Sequence, residues 1–287
     1  MSGPVQLTPE QATLLIPLVA KASQNTWPDP ILRDETAAQV LRRLGRAVPA
    51  RPALRGDAFG LALRARALDG WTAAFLARSP AATVLHLGCG LDGRVDRVQV
   101  PPGARWVDLD LPEVIALRRA VYPRHEGPGY QMIAASVTEG GWLREVPRER
   151  PVLVVAEGLL MYLPEPEVRA LLTRLGEMFP GGELVCDALS GLGVRLGGWH
   201  PALRASGATL RWGLEDPREV ETWPPGFHLL DDLSLLDLPG FARLPRVKRA
   251  AWRVLRRVLV LRRVHRLLRY RVSPPGQARA LQGPPHT

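Results

Sequence analysis

The sequence predicts an α/β fold, a mostly parallel sheet with helices on both faces. Three observations carry this. From residue 83 onward, short apolar runs alternate with segments of helical periodicity. One run, Val152–Ala156, is apolar at every position, as a strand buried on both faces must be. A glycine-rich turn directly follows the first of these strands.

The elements follow in order. Residues 8–24 are expected to be helical, with Thr8 as cap, Pro9 in the first turn and Gln11 completing a capping box. Trp27-Pro-Asp-Pro30 marks a turn. Residues 34–44 predict a short helix ending near Gly45, and 48–55 a proline-rich loop. A long helix is predicted over 57–77, with Phe59, Leu63, Ala67, Gly70, Ala74 and Phe75 on its inner side. Strands follow at 83–87, 105–109, 130–134, 152–156 and 183–186, separated by helices at 112–122 and 165–178. Beyond residue 190 the pattern weakens to short helices at 199–206 and 216–222. A long basic amphipathic helix over 245–268 follows, with Tyr270–Val272 as a candidate last strand. The Pro- and Gly-rich tail from Ser273 is expected to be disordered.

The chain has 287 residues, 46% hydrophobic and 23% charged, which excludes a fibrous or wholly disordered protein. Residues 242–272 carry eleven arginines and Lys248 with no acid. That local charge of +12 exceeds the net +10 of the whole chain, so the remainder is slightly acidic. Cys89 and Cys186 are the only cysteines; they make no disulfide framework or metal cluster and fit a cytoplasmic location. No apolar run approaches the roughly 18 residues of a membrane span.

The segment His86-Leu-Gly-Cys-Gly-Leu-Asp-Gly93 matches GxGxxG through Gly88, Gly90 and Gly93, and Asp108 and Asp110 follow at the distance of a ribose-binding acid. NAD(P)-dependent oxidoreductases and S-adenosylmethionine (SAM) methyltransferases share that arrangement. Three features favour methyl transfer. Gly93 leads into only a few residues before Pro101-Pro102, so no long helix N-terminus faces a pyrophosphate. Asp92 would repel a pyrophosphate but tolerates a sulfonium. The fourth strand ends in Glu157-Gly158, an acid in the crevice where such sheets bind ligands.

Four stretches resemble the leucine carboxyl methyltransferase family, most closely its bacterial branch of polyketide-type O-methyltransferases. They are Leu18–Ala22 through Pro30–Asp34, Val84–Arg97, Val107–Val114 and Glu157–Leu163. The segments Arg211–Arg218 and Trp223–Leu230 add to the likeness, which covers most of residues 15–235. It implies a Rossmann-like class I SAM methyltransferase with a seven-stranded, mostly parallel sheet. The implied organisation is a helical cap or lid over 1–56 and a catalytic domain over 57–272, of which 190–268 is a variable acceptor-facing part.

The resemblance also implies roles. Arg66 corresponds to the arginine that binds the SAM carboxylate, with Arg64 two residues away on another face. Gly88, Cys89 and Gly90 line the methionine part, Cys89 as a small filler. Asp110, with Leu111, corresponds to the ribose-binding acid, Asp108 being its rival. Ser136, with Val137, stands where the family has an adenine-contacting Asp. Glu157 corresponds to a SAM contact near the reacting end. Tyr162 and Lys21 are candidates for the active-site lining.

No general base stands in any motif, which favours an acceptor that is already ionised, a carboxylate, over a phenol. His86 is expected to be structural, His200 and His228 are acceptor-side candidates, and Trp199, Trp212 and Trp223 are candidates for an aromatic wall or for core. The expected partner is a small-molecule acceptor, with no metal. For the basic helix the favoured reading is a packed helix with a solvated arginine face. An anionic membrane surface remains open, and nucleic acid is disfavoured because only Trp252 and Tyr270 offer stacking. A degenerate methyltransferase domain acting as such a binding module is the non-enzyme alternative.

Overall fold

Seven strands form one sheet in the order β3-β2-β1-β4-β5-β7-β6. They are β1 (Thr83–Leu87), β2 (Arg105–Asp110), β3 (Tyr130–Ala134), β4 (Val152–Ala156), β5 (Glu183–Leu189), β6 (Phe227–Ser234) and β7 (His265–Val272). The first five pair in parallel, and β7 lies antiparallel between β5 and β6. The computed structural model describes residues 9–45, 58–179, 181–199, 203–204, 207–223, 226–244 and 246–272. The proline-rich loop, Thr8, His200 and the tail lie outside that set.

Strand residues alternate between two cores. Val84, Trp106, Leu153 and Val185 face α1 (Pro9–Gln24), α2 (Glu35–Leu44) and α3 (Ala58–Arg78). Leu85, Val107, Val154 and Leu184 face the opposite layer, which includes Val168, Leu171 and Leu175 of the helix over 165–178. Each fully buried Leu or Val contributes roughly 1.5–3 kcal/mol, so a one-residue slip would exchange the faces and is strongly opposed.

Several expectations need correction. α3 buries Ala58, Ala62, Leu63, Arg64, Ala65, Leu68, Thr72, Phe75 and Leu76, so Leu63 and Phe75 of the expected inner side are buried and Phe59 and Ala67 pack on the core, whereas Gly70 and Ala74 are exposed. The helix is thus rotated from the face that its alternation of alanine and leucine suggests. The basic segment is not one helix to residue 268. After α4 (Arg94–Arg97), α5 (Pro112–Val121), α6 (Glu165–Met178) and α7 (Gly191–Gly197), it forms α8 (Arg246–Arg257), an extended break at Val258, and α9 (Leu259–Arg262). Residues 265–272 then enter the sheet, where pairing on both sides overrides helical periodicity. The expected helix at 216–222 is a 3-10 turn over Pro217–Glu221. Of the one expected at 199–206, only 203–204 have a described helical conformation.

The sheet order creates the site. The chain runs from β1 outward to β3, then returns to the other side of β1 for β4. Leu87 pairs with Ala156, so Gly88 and Glu157 leave the sheet side by side. This is the topological switch point, where open α/β sheets bind ligands beyond their carboxyl ends.

Candidate active site

A cavity of about 410 Å³ opens at this point, within the range of small-molecule sites. Its charged lining includes Lys21, Arg64, Asp92 and Glu157, with Leu14, Ile16, Pro17 and Leu18 of the first helix beside the glycine turn. Met161, Leu189, Leu196, Leu203, Leu210 and Val264 add apolar lining, together with Tyr162 and His265.

The glycine turn takes backbone conformations that side chains resist. Gly88 and Gly90 have φ of +60° and +51°, and a Cβ on Gly88 would meet Leu159 at 3.0 Å. Asp110 braces the turn: its carboxylate accepts from the Gly90 N–H at 2.7 Å and from the Leu111 N–H at 2.8 Å. Burial pushes Asp110 up from the usual carboxylate value, partly offset by those two N–H donors. Gly93 serves a different purpose. A Cβ there would lie 2.9 Å from Asp34 and Thr36, so the glycine lets the start of α2 dock on the turn.

Asp108 is saturated instead. It takes Arg118 at 2.6 Å, the Tyr130 hydroxyl at 2.7 Å, the Trp106 indole N–H at 2.8 Å and His86 Nδ1 at 3.1 Å, and is fully buried. These bonds tie it and His86 into the buried core, and His86 also lines the cavity.

An ion network fills the floor. Glu157 meets Lys21 at 3.4 Å, Arg64 at 3.0 Å, and Arg94. Burial opposes its charge, but Lys21, then Arg64 and Arg94, outweigh burial and hold the carboxyl well below its usual range. Asp92 pairs with Arg97 at 2.6 Å and Lys21 at 3.0 Å and is lowered likewise. Arg97 continues to Asp34, the N-cap of α2, at 2.5 Å and to Asp69 on α3 at 2.7 Å. Arg64 reaches Asp187 on β5 at 2.9 Å. Four cations therefore face five carboxylates, a balance suited to a ligand end that carries both an ammonium and a sulfonium.

Of the sequence-derived candidates, Lys21, Gly88, Cys89, Gly90, Glu157 and Tyr162 line the cavity. Cys89 is buried, and its thiol is pushed up by burial, reinforced by Asp108. Arg66 does not join them. It is exposed, and its guanidinium donates to the Ile31 carbonyl at 3.4 Å. Arg64 occupies the inward position, because the α3 face is rotated as described above. Asp110, Leu111, Ser136 and Val137 stand at the ends of β2 and β3, outside the cavity but beside the Gly90 turn. The Ala135 N–H donates to the Asp110 carbonyl, and the Ser136 hydroxyl bonds that of Thr138 at 2.8 Å. Trp212 and Trp223 pack in the core with ring centroids 5.8 Å apart, and Trp199 is exposed, so they build no aromatic wall. His228 lies on β6 and does not line the cavity.

Sequence reasoning missed Arg64 in this role, Asp187 and His265. His265 Nε2 lies 2.8 Å from Asp187 Oδ2, and His265 lines the cavity. Among the described residues, no group of three His, Cys, Asp or Glu is arranged to hold a metal. Nor is any described helix long and apolar enough to cross a membrane.

Comparison with known proteins agrees with this geometry. The leucine carboxyl methyltransferase family matches residues 14–176. The tetracenomycin polyketide synthesis O-methyltransferase TcmP of Streptomyces glaucescens is 42% identical over 270 residues, covering 94% of this chain and 99% of that one. A SAM-dependent methyltransferase of Gibberella zeae, dpfgK, is 36% identical over 84% of this chain and 87% of its own. Two crystal structures share the fold. A duf574 family protein from Streptomyces avermitilis has a TM-score of 0.58 at 14% identity, covering 91% of this chain and 97% of that one. A candidate methyltransferase from Thermobifida fusca has 0.55 at 18%, covering 93% and 96%. With a class I methyltransferase sheet, a glycine turn at its switch point and relatives of this length, the chain belongs to the leucine carboxyl methyltransferase family and is a SAM-dependent methyltransferase.

Proposed function

We propose that the protein transfers the SAM methyl group to an oxygen of a small, polyketide-type aromatic acceptor, either a carboxylate or a phenolic hydroxyl. The observation that carries this reading is one cavity whose lining joins the glycine turn and its charged groups to many apolar side chains, including residues of α7. SAM supplies an electrophilic methyl on a sulfonium; the protein has to align the acceptor oxygen with it and exclude water.

The residues present suit SAM. Arg64 is placed for its carboxylate. Asp92 and Glu157 are placed for its ammonium, with Lys21 fixing both acids. Gly88, Cys89 and Gly90 give backbone access without side-chain obstruction. Asp110 keeps lone pairs for ribose hydroxyls beyond those it commits to Gly90 and Leu111. Leu111, exposed beside the turn, offers an apolar face to adenine, and Ser136 and Val137 close that end. The apolar part of the lining suits a flat hydrophobic acceptor. The two buried free cysteines suit a cytoplasmic setting.

Titration calorimetry with SAM, S-adenosylhomocysteine and NAD(P)H tests the cofactor assignment. Micromolar binding of the first two, lost in Asp110→Ala, is expected. Binding of NAD(P)H alone would overturn it. Methyl transfer from labelled SAM to aromatic acids and phenols then tests the acceptor class.

A further inference from the structure

We infer that the basic segment formed by α8 and α9 is a docking surface for an anionic lipid bilayer, on which the protein lies without crossing it. The inference goes beyond the methyl-transfer reading and stands independently of it.

The argument begins with a side of the helix that the fold leaves uncovered. Helical periodicity places Val247, Ala251, Val254 and Val258 on one apolar side, expected to pack on the body of the protein. The structure does the reverse. No residue of α8 or α9 is buried. Trp252 and Arg256 turn toward the body, to Phe241 and Asp237. At about 100° per residue, Val247, Ala250, Ala251 and Val254 share the opposite side, and all four are exposed. The stripe continues past the break into Val258, Leu259 and Val260, which are exposed as well. Among the described residues, eleven large hydrophobic side chains are exposed, and six of them fall between Val247 and Val260. Exposed apolar residues scattered singly need no explanation, whereas a contiguous group marks a contact surface.

The flanking charges identify what the surface meets. Arg246, Arg253 and Arg257 run along one border of the stripe and Lys248 along the other, all exposed. Arg256 and Arg262 share Asp237 on the body of the protein, whereas those four cations have no ion pair among the described residues. Residues 242–272 contain no acid. An apolar stripe bordered by unpaired cations is the form of a helix lying in the headgroup plane. The valines and leucines enter the acyl boundary, and the long arginine stems reach back to anionic headgroups.

Other occupants fit less well. A second copy of the chain would bring this cationic segment against itself. A nucleic acid would set the apolar stripe against phosphates, and the one aromatic ring of α8 and α9, Trp252, is turned inward and stacked on Phe241. An acidic protein would need a groove shaped to a convex helix whose outer side offers valines, alanines and leucines rather than aromatic anchors. A fluid bilayer needs no shaped groove.

Flotation of the full chain with vesicles tests the proposal. Vesicles of phosphatidylcholine and phosphatidylglycerol in equal parts should bind at least about tenfold more strongly than phosphatidylcholine alone, and the preference should shrink as salt rises. Two double variants separate the contributions. Val247→Ser with Val254→Ser should lower the partition coefficient roughly tenfold, and Arg253→Glu with Arg257→Glu roughly tenfold or more. None of these residues lines the cavity, so SAM affinity and thermal melts should match wild type, which distinguishes lost docking from lost fold. A fluorophore on Val254→Cys should shift its emission to the blue on the anionic vesicles, while the buried Cys89 and Cys186 stay unlabelled. Absence of flotation with the anionic vesicles would overturn the proposal. So would binding that survives Val247→Ser with Val254→Ser or gives no blue shift, which marks the purely ionic contact of a nucleic acid or an acidic protein. A dimer in sedimentation that dissociates in the same serine variant would assign the stripe to a second copy instead.

Discussion

Arg64 closes on Glu157 with two nitrogens, Nε at 3.1 Å and Nη2 at 3.0 Å from the same carboxylate oxygen. Its remaining nitrogen reaches Asp187. One guanidinium thus ties the end of β4 to β5 at the cavity. Gly158 is a glycine for this reason as well as for its φ of +63°, since a Cβ there would approach the guanidinium to 3.3 Å.

Arg64 and Arg66 therefore separate in a binding experiment. Arg64→Ala should weaken SAM by roughly ten- to a hundredfold, the worth of a charge-assisted hydrogen bond of about 1.5–3 kcal/mol. It should also lower the melting temperature, because two buried carboxylates lose a partner. Arg66→Ala should change affinity less than about twofold. Calorimetry beside thermal melts distinguishes lost contact from lost fold, and equal effects of the two substitutions would refute the assignment.

Asp108 and Asp110 stand two residues apart and should fail differently. Asp108→Asn breaks a fully buried pair with Arg118, at a cost of about 3–5 kcal/mol. Asp110→Asn leaves the core intact, so the melting temperature should shift by only a few degrees while SAM affinity drops at least tenfold. Reversed outcomes would make Asp108 the ribose ligand.

Stability should fall steeply in acid. Burial opposes the charge of Glu157, Asp92, Asp108 and Asp187 alike. The cations that outweigh it are Lys21 for Glu157, Arg97 for Asp92, Arg118 for Asp108 and Arg64 for Asp187. All four carboxyls are held below their unfolded values. The unfolded chain therefore takes up protons first, near pH 4, and stabilisation present above that pH is lost progressively as pH falls toward the depressed folded values. Urea midpoints between pH 7 and pH 3 should show the decline, with a shallower slope in Asp108→Asn. A midpoint independent of pH across that range would exclude a net contribution from these groups.

The basic helix α8 is held by Trp252 and by the Arg256–Asp237 ion pair at 2.6 Å. Trp252 stacks on Phe241 with ring centroids 5.1 Å apart, and its indole N–H donates to the Leu236 carbonyl at 2.8 Å. Val247 and Val254, on the other side of the helix, are 82% and 63% exposed. Trp252→Ala should cost about 1–3 kcal/mol and increase proteolysis within residues 246–262. Val247→Ser with Val254→Ser should leave stability within about 0.5 kcal/mol. Differential scanning calorimetry and limited trypsin digestion decide between these outcomes.

How much of this was legible in the sequence depended on range. The five parallel strands and the glycine turn were readable because each is declared by a few consecutive residues, whereas β6 was not foreseen and only the end of β7 was. Arg64 was not, because the choice between it and Arg66 depends on how far α3 rotates, and alanines and leucines on both faces leave that to tertiary packing. His265 was hidden for two reasons. Its partner Asp187 lies 78 residues away in sequence, and the arginine-rich run before it continues a helical pattern through the start of β7. The tryptophans misled because an aromatic residue in a variable segment carries no sign of whether it faces a cavity or a core.

The position of β7 has a consequence for how the chain is made. It is the last of the seven strands to be synthesised, yet it is an interior strand, seated between β5 and β6. The glycine turn and its ion network lie within the first 187 residues and have their sequence available early. The sheet cannot close until His265–Val272 has left the ribosome. Until then β5 presents an unpaired edge rich in Leu and Val, the kind of edge that recruits other chains. A message cut short before residue 265 would yield a protein with its cofactor half encoded in full, an open sheet, and a strong tendency to aggregate.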